Sequence, residues 1–292
     1  MFVSGFTFVK NAVKLDYPVV EAIKSVLPLV DEMVVAVGKS EDNTREVIAS
    51  IDKTKIRIID TVWDDSLREG GKVLAVETDK AKAAVSAQAD WLVYIQADEC
   101  IHEKYYPEIR SKMETYKNQD NVDGLLFHYT HFYGSYDYVG DSRTWYRNEI
   151  RIIKNNPAIS SWKDAQGFRK SSEKLNVVPI DAHIYHYGWV RHPKYMMAKA
   201  YEANKLWHSD EWVEERFDPS KDFDYSAIDS LKPFKGTHPE VMQERINRMN
   251  WTFSHDPSQK KFGFKAGLLY FIEKYTGWRV GENKNYKVVN PS

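Results

Sequence analysis

Short apolar runs and amphipathic stretches alternate along the first third of the chain. Residues 2–9, 33–37 and 91–95 are almost continuously apolar, which is typical of strands covered on both faces. Residues 55–60 alternate charged and apolar side chains before ending on an apolar pair, and they predict one more strand. Four strands are therefore expected before the middle of the chain.

Helical periodicity fills the intervals between these strands. Pro18 suits the first turn of a helix, and a second helix follows the polar turn at residues 38–44. A third runs from about residue 73 to 88, with apolar side chains on one face. This alternation predicts an α/β fold, a mostly parallel sheet covered by helices.

The second half of the chain has a different pattern. Three strands with aromatic and histidine content are predicted at residues 125–133, 149–154 and 177–187. Beyond Pro193 the pattern is helical at 195–212, 239–253 and 262–278, with a loop at 218–233. We therefore expect a body at residues 1–190 and a helical C-terminal extension at 191–292 packed on it.

Composition narrows the class of protein. The 292 residues are 42% hydrophobic and carry 41 Lys and Arg against 42 Asp and Glu, so a globular protein is expected and nucleic acid is not predicted as a partner. Cys100 is the only cysteine, which excludes an intramolecular disulfide. The start lacks the pattern of a signal peptide and no apolar run could cross a bilayer, so a cytoplasmic location is expected.

Asp98 and Glu99 are the first candidates for chemistry. They directly follow the strand at 91–95, and ligands of parallel sheets bind beyond the carboxyl ends of strands. Their hard oxygens suit a divalent metal. Capping of the helix that follows explains the same two acids equally well.

Two histidines and a loop carboxylate are further candidates. His183 and His186 are three apart in a predicted strand and should point to opposite faces, so only one could complete a site. A lone histidine in an aromatic strand is more often a hydrogen-bonded core residue. Asp164, beside Trp162 in a loop, could deprotonate a hydroxyl, although an acid in a loop commonly forms an Asx turn.

No common motif assigns another reaction. The sequence lacks a Walker loop, a dinucleotide fingerprint, a His-Glu-x-x-His helix and a Gly-x-Ser-x-Gly elbow. Lys72 and Lys80 could offset the charge of a diphosphate, although lysines on a helix usually extend into solvent.

The motifs have a recognisable order. They are Phe8-Val9-Lys10-Asn11-Ala12 at the first strand and loop, Gly38-Lys39-Ser40-Glu41-Asp42-Asn43-Thr44 at a turn, Gln96-Ala97-Asp98-Glu99, and Tyr185-His186-Tyr187-Gly188. Over roughly residues 3–190 this series resembles a family 2 glycosyltransferase of the GT-A fold. The turn is similar to the family's Gly-Ser-x-Asp-x-Thr turn, and the last two segments are similar to its Asp-x-Asp and His-Tyr-Gly elements. Gln96 stands where the first acid of Asp-x-Asp is usual, and Ala36-Val37 stands where acids often hold uracil.

The resemblance implies a function. A sugar would move from a nucleotide-diphosphate donor, a UDP-sugar first of all, to a hydroxyl of a saccharide or other acceptor with inversion. Asp98 and His186 would hold Mn²⁺ or Mg²⁺, and Asp164 would be the catalytic base. The donor-binding residues implied are Phe8, Lys10, Asn11, Lys72, Lys80, Gln96 and Ala97. Two alternatives stay open: a saccharide- or nucleotide-binding protein that has lost activity, and a sugar-phosphate nucleotidyltransferase.

Aromatic residues in the C-terminal extension allow two interpretations. The segment at 262–279 has the composition of a dimer interface or of a helix that contacts a membrane surface. Core packing is the expectation, because so many aromatic side chains must be covered somewhere.

Overall fold

The computed structural model describes residues 1–67 and 69–290 and has a mixed α/β architecture. The strands are β1 Val3–Val9, β2 Glu32–Gly38, β3 Ile56–Thr61, β4 Trp91–Tyr94, β5 Glu99–Ile101, β6 Gly124–Tyr133, β7 Ser135–Gly140, β8 Asn148–Lys154, β9 Ile159–Trp162, β10 Gly167–Lys170, β11 Glu173–Lys174, β12 Asn176–Trp189, β13 Leu231–Pro233 and β14 Lys287–Val288. The α-helices are α1 Val19–Val26, α2 Thr44–Ala49, α3 Lys72–Ala83, α4 Tyr106–Tyr116, α5 Pro193–Asn204, α6 Asp210–Glu214, α7 Gln243–Asn247 and α8 Phe264–Thr276. The predicted α/β class is confirmed.

The main sheet begins as a parallel sheet and continues with antiparallel strands. Strands β3, β2, β1 and β4 run parallel in that order, with Phe6 of β1 opposite Val34 of β2 and Tyr94 of β4. Strand β8 pairs antiparallel with β4 and with β6, and β12 then lies parallel to β6. This order is that of a GT-A-like fold, in which the carboxyl ends of β1 and β4 lie side by side.

Strand β2 shows why these apolar runs form buried strands. Met33, Val35 and Val37 belong to one hydrophobic core, on the side of α1 and α4. Val34 and Ala36 belong to a second core on the opposite face, beside α3 and the small sheet of β9 to β11. Both faces are covered, as the continuous apolar run predicted.

Two predicted helices are shorter than their periodicity indicated. Helix α3 ends at Ala83 rather than near residue 88. Just beyond its end, the carbonyl of Ala84 accepts from Arg57 and the amide of Ser86 donates to Glu32, so tertiary bonds replace helical ones. Only residues 243–247 of the segment 239–253 are α-helical.

Residues 191–290, predicted as a helical extension, share hydrophobic clusters with the central strands, and they also add β13 and β14, which pair with β7 and β12. Met242 joins Phe132 and Tyr187 in one cluster. Met196 and Leu231 join Tyr133 in another. Helix α5 follows directly after β12 and so lies beside the carboxyl end of that strand.

Helix α8 departs from the expected packing. Four of its large apolar or aromatic side chains are exposed, as is Trp278 just beyond its end, so the expectation that these aromatics enter the core is wrong for this face. The helix is held from its other side, where Glu273 accepts from Arg143 at 2.8 Å and Tyr270 donates to Asp141 at 3.1 Å. Across residues 1–67 and 69–290, no helix combines the length and apolar content that a bilayer span requires.

Candidate active site

A cavity of about 630 Å³ opens at the carboxyl ends of β1 and β4, where the sequence predicted a site. Eight of the predicted site residues line it, namely Phe8, Lys10, Asn11, Gln96, Ala97, Asp98, Asp164 and His186. Helix α5 and the turn after it form the opposite wall through Lys199, Glu202, Ala203, Lys205, Leu206 and Trp207. The cavity therefore lies between the body and the C-terminal extension.

The two neighbouring acids do different things. Glu99 is fully buried and forms a bidentate ion pair with Arg151 of β8, at 2.8 and 2.9 Å. Its carboxylate also accepts from the hydroxyl of Tyr129 at 2.7 Å and from the amide of Gln96 at 3.1 Å. Glu99 thus fixes the turn from Gln96 to Glu99 at both of its ends. Asp98, which lies inside this turn, is thereby directed to the cavity. The capping interpretation does not describe either acid.

Asp98 sits among positively charged or protonatable groups. Its Oδ2 accepts from Lys199 Nζ at 3.0 Å, and its Oδ1 lies 3.8 Å from His186 Nε2. Its backbone carbonyl accepts from the amide of Tyr187 at 2.8 Å, which ties the turn to β12. Burial raises the pKa of Asp98, but the charges of Lys199, His186 and Arg191 outweigh it and hold that pKa below its ordinary value. Asp98 is therefore ionised.

His186 is neutral and held by a second histidine. Its Nδ1 lies 3.0 Å from Nδ1 of His131, whose Nε2 lies 2.9 Å from the carbonyl oxygen of Tyr146. Burial lowers the pKa of His186 against the opposing charge of Asp98, and burial lowers the pKa of His131 still further. His183 instead lies beside Thr130 and the ring of Tyr105 and does not line the cavity.

Lys199 and Arg191 bring positive charge that sequence reasoning missed. Lys199 also donates to the carbonyl of Gly188 at 2.7 Å. Burial and the charge of Arg191 lower the pKa of Lys199 to about 8, against the pull of Asp98. Arg191 is fully buried with its guanidinium 4.7 Å from the ring centre of Tyr17, and none of its guanidinium nitrogens hydrogen-bonds to a residue that the structure describes. The one available signal was the position of Arg191, two residues after the end of β12.

The expected divalent metal can be tested against these atoms. Asp98 and His186 are suitable ligand types for Mn²⁺ or Mg²⁺. The single negative charge of Asp98 is, however, already compensated by Lys199 at 3.0 Å. A divalent ion on the same carboxylate would lie close to that ammonium group, and the repulsion would be large in a buried site. Within the described residues, no group of three or more His, Cys, Asp or Glu side chains could hold a metal ion. With Lys199 in this position, the residues present do not fit a resident divalent ion.

Asp164 lies in a tight turn between β9 and β10. Lys163 and Ala165 on either side of it both have positive φ, at 55° and 63°, which is unusual for residues other than glycine. The carbonyl of Ala165 accepts from the side-chain amide of Gln96 at 3.3 Å, which connects this turn to the Asp98 turn. A Cβ on Gly71 would come within 2.8 Å of the Asp164 Cβ, so the helix start packs tightly against this acid. Strained turns of this kind cluster at functional sites.

The residues at the end of β1 form a partly aromatic slot. The rings of Phe8 and Trp63 lie 5.9 Å apart, and Lys10 Nζ lies 5.3 Å from the centre of the Trp63 ring. Asn11 has a φ of 53°, and its side-chain oxygen accepts from the amide of Glu41 at 2.8 Å. Asn11 thus joins the first loop to the turn at residues 38–44.

The two helical lysines are placed elsewhere. Lys80 donates to the buried carboxylate of Glu77 at 2.6 Å. Lys72 is exposed at the first residue of α3. Neither lysine lines the cavity.

Comparisons with known proteins bear on the fold alone. No protein-family model matches the sequence, and no curated protein is significantly similar to it. Solved structures do match at low identity.

The S. aureus TarS fragment 1–349 in complex with UDP is 12% identical to this protein, over 74% of this chain and 69% of its own, with a TM-score of 0.40. Glucosyl-3-phosphoglycerate synthase from Mycobacterium tuberculosis, in complex with Mn²⁺, UDP and glucosyl-3-phosphoglycerate, is 19% identical over 46% of this chain and 45% of its own, with a TM-score of 0.29. A 4-diphosphocytidyl-2C-methyl-D-erythritol synthase from Anaerococcus prevotii is 11% identical over 53% and 71%, with a TM-score of 0.33.

The structural neighbours therefore include two proteins solved with UDP. The predicted GT-A-like α/β fold is confirmed by the sheet order of the structure itself. Matches with TM-scores this low carry no argument about activity, which has to be argued from the cavity itself.

Proposed function

We propose that the protein is an inverting glycosyltransferase that moves a sugar from a uridine-diphosphate donor to an acceptor hydroxyl. One observation carries the proposal: residues singled out from four separate parts of the sequence line one cavity at the carboxyl end of the parallel strands. This is the place where α/β sheets bind their ligands. A cavity of about 630 Å³ also lies within the range of small-molecule sites.

The donor nucleotide fits the slot at the end of β1. A flat base would contact Phe8 and Trp63, with Lys10 beside the tryptophan ring. Stacking on aromatic rings is favourable for any base. The preference for uracil comes from the family resemblance, and Ala36 and Val37 are buried in β2 and offer no acid to recognise it.

Asp164 is the proposed catalytic base. It lines the same cavity as Asp98 and is held in a tight turn. A general base needs such a fixed position because it must lie within hydrogen-bond distance of the acceptor hydroxyl. It would take the hydroxyl proton while the acceptor oxygen forms its bond to the anomeric carbon. The bond from that carbon to the diphosphate breaks in the same displacement, and its electron pair leaves on the nucleotide. Attack from the face opposite the leaving group inverts the anomeric configuration.

The proposal is tested with a panel of UDP-sugars. Binding is read from the rise in melting temperature, since a ligand specific for the folded form stabilises it. Transfer to simple saccharide acceptors is read by NMR, which also reports the anomeric configuration of the product. Asp164→Asn should lower the transfer rate by roughly a hundredfold or more while leaving the melting temperature shift in place. Asp181→Asn, an exposed acid on β12, is the matched control and should behave like the wild type.

Three results would oppose this assignment. If no UDP-sugar raises the melting temperature, the proposed nucleotide-sugar site is wrong. If the product retains the anomeric configuration, the proposed single-displacement mechanism is wrong. Stabilisation without transfer or donor hydrolysis would favour a binding protein, the alternative that Gln96 in place of an acid suggests.

A further inference from the structure

At the floor of the cavity, one carboxylate is paired with one ammonium group, and a buried arginine lies close by. Lys199 Nζ lies 3.0 Å from Asp98 Oδ2, and His186 Nε2 lies 3.8 Å from Asp98 Oδ1. Arg191 adds a second positive charge that is fully buried and has no hydrogen-bond partner among the described residues. A buried charge without a partner is costly. Although Glu41, Asp164 and Glu202 also line the cavity, the unpartnered guanidinium of Arg191 beside the Asp98–Lys199 pair favours an anionic ligand at this point.

Lys199 occupies the position where the sequence placed a divalent ion. Its ammonium group is fixed by Asp98 Oδ2 and by the carbonyl of Gly188, and its side chain lines the cavity. A Lys ammonium group has three donors, so one remains for a phosphate oxygen. Arg191 lies behind Tyr17, another lining residue, and reinforces the positive potential from below.

We propose that Lys199, supported by Arg191, supplies the positive charge that the donor diphosphate requires, so that donor binding needs no divalent metal. The inference rests on the proposed function and refines it. As the anomeric bond breaks, its electron pair passes to the diphosphate oxygen, and Lys199 stabilises the negative charge that accumulates there.

Binding of UDP measured by calorimetry with and without metal is the direct test. Wild-type protein in EDTA should bind UDP, and excess MnCl₂ should change the affinity by less than about threefold. Lys199→Met, which keeps the length of the side chain but removes the charge, should weaken binding by at least roughly tenfold. Lys194→Met on the same helix is exposed and should not change it.

The outcomes separate this inference from the proposed function. Binding of UDP only in the presence of Mn²⁺ would overturn the role of Lys199 and leave the transferase proposal standing. No binding in either buffer would overturn the transferase proposal itself. The wild-type measurement decides both points even where Lys199→Met does not fold, and circular dichroism identifies that case.

A second inference comes from an independent feature, the outer face of α8. Four side chains fall at spacings of four and three residues and so share one face of the helix, namely Phe264, Leu268, Phe271 and Tyr275, and Trp278 follows just beyond the helix end. Their exposed fractions are 92%, 52%, 57%, 69% and 66%. An apolar stripe of this length is rarely left in water without a partner.

The charges around this stripe have one sign. The exposed charged residues between positions 257 and 286 are all lysines; Lys260 is paired with Asp141, which leaves those at 261, 265, 274 and 284. The two acids in this stretch are turned to the body, where Glu273 is paired with Arg143 and Glu282 with Arg147. A second copy of the chain would bring these lysines against each other, whereas an anionic lipid surface would attract them.

We infer that this face of α8 docks onto the surface of a membrane that contains anionic lipids. Aromatic side chains would enter the headgroup region while the lysines contact lipid phosphates. The helix would lie in the plane of the surface, with the cavity in the protein above it.

Vesicle flotation tests this docking. The protein should float with vesicles of phosphatidylcholine and phosphatidylglycerol but not with phosphatidylcholine alone, and added salt should reduce the bound fraction. Phe271→Ser combined with Tyr275→Ser should abolish flotation, whereas Val62→Ser, an exposed apolar residue outside α8, should not. Absence of flotation would overturn the inference. A lipid-free dimer that the double variant dissociates would identify a second copy as the partner instead.

Discussion

Adjacent acids acquire different roles from their surroundings. Asp98 and Glu99 are neighbours in the sequence, yet Asp98 lines the cavity and Glu99 is locked to Arg151 with both side chains fully buried. The charge of Glu99 therefore serves structure. Its position explains how the four-residue turn from Gln96 to Glu99 can hold Asp98 in a fixed direction.

The Glu99 and Arg151 pair makes a prediction about stability. Arg151→Met should lower the free energy of unfolding by roughly 3–5 kcal/mol, because it leaves a buried carboxylate without its partner. Adding Glu99→Gln to that variant should restore part of the loss. Urea denaturation of the two single variants and the double variant measures the coupling. Strictly additive losses would contradict a direct pair.

Glu149 predicts a dependence on pH. Burial raises its pKa to about 8 against the charge of Arg151, and its Oε2 has no hydrogen-bond partner among the described residues. Because the folded pKa is raised, the protonated form contributes stability that is complete below the unfolded pKa and is lost as pH rises through about 8. Glu149→Gln should therefore flatten the loss of stability above about pH 5, which in wild type reaches at most about 1.4 kcal/mol per pH unit. Parallel urea profiles for the two proteins between about pH 6 and 9 would refute this.

At the scale of elements, β12 connects the site to both halves of the molecule. It presents His186 to the cavity, its residue Tyr187 bonds the Asp98 turn, and the carbonyl of Gly188 accepts from Lys199. A Cβ on Gly188 would lie 2.4 Å from His186 Nε2 and 3.0 Å from Asp98 Oδ2. There is no room for a methyl group there unless the site residues move.

Gly188→Ala should therefore impair binding more than folding. We expect the affinity for UDP to fall by roughly tenfold, because the displaced His186 and Asp98 side chains alter the position of Lys199. Gly263→Ala is the control, since a Cβ there meets nothing within 4 Å. Calorimetry with UDP compares the three proteins. An unchanged affinity in Gly188→Ala would show that the site tolerates the shift.

The elements also show what sequence patterns can and cannot predict. The strands β1, β2 and β4 were predictable because both of their faces are covered and the apolar runs are continuous, whereas β3 was predictable from its alternation of charged and apolar residues. The segment 239–253 was not, because its aromatic residues pack at irregular spacing; Trp251, for example, donates to the carbonyl of Gly134 at 2.8 Å.

The same limit applies to the candidate site. Asp98, His186 and Asp164 could be found from motifs or from their place after a strand. Lys199 is one of two lysines on α5 and has no local signal. Its role depends on the tertiary contact that brings α5 against the Asp98 turn.

At the scale of the whole molecule, the cavity has one wall from the body and one from the C-terminal extension. Lys199, Ala203 and Leu206 come from the extension, while Phe8 and Asp98 come from the body. The two parts also share apolar clusters, in which Met242 and Met196 contact side chains of the central strands. Arg245 of α7 forms an ion pair with Asp16 at 2.5 Å, far away in the sequence.

This shared packing predicts that the chain unfolds as one unit. If the extension detached, the body would lose one wall of its cavity and the apolar side chains that pack against its strands. Neither part should therefore stay folded alone at intermediate denaturant concentrations. Urea unfolding followed by tryptophan fluorescence and by far-ultraviolet circular dichroism should then give coincident transitions. UDP at about a hundredfold excess over its dissociation constant should move both midpoints together, since it adds about 2.7 kcal/mol to the folded state as a whole. Two separated transitions, of which UDP shifted only the first, would mean that the extension opens independently and that the cavity exists only while it is docked.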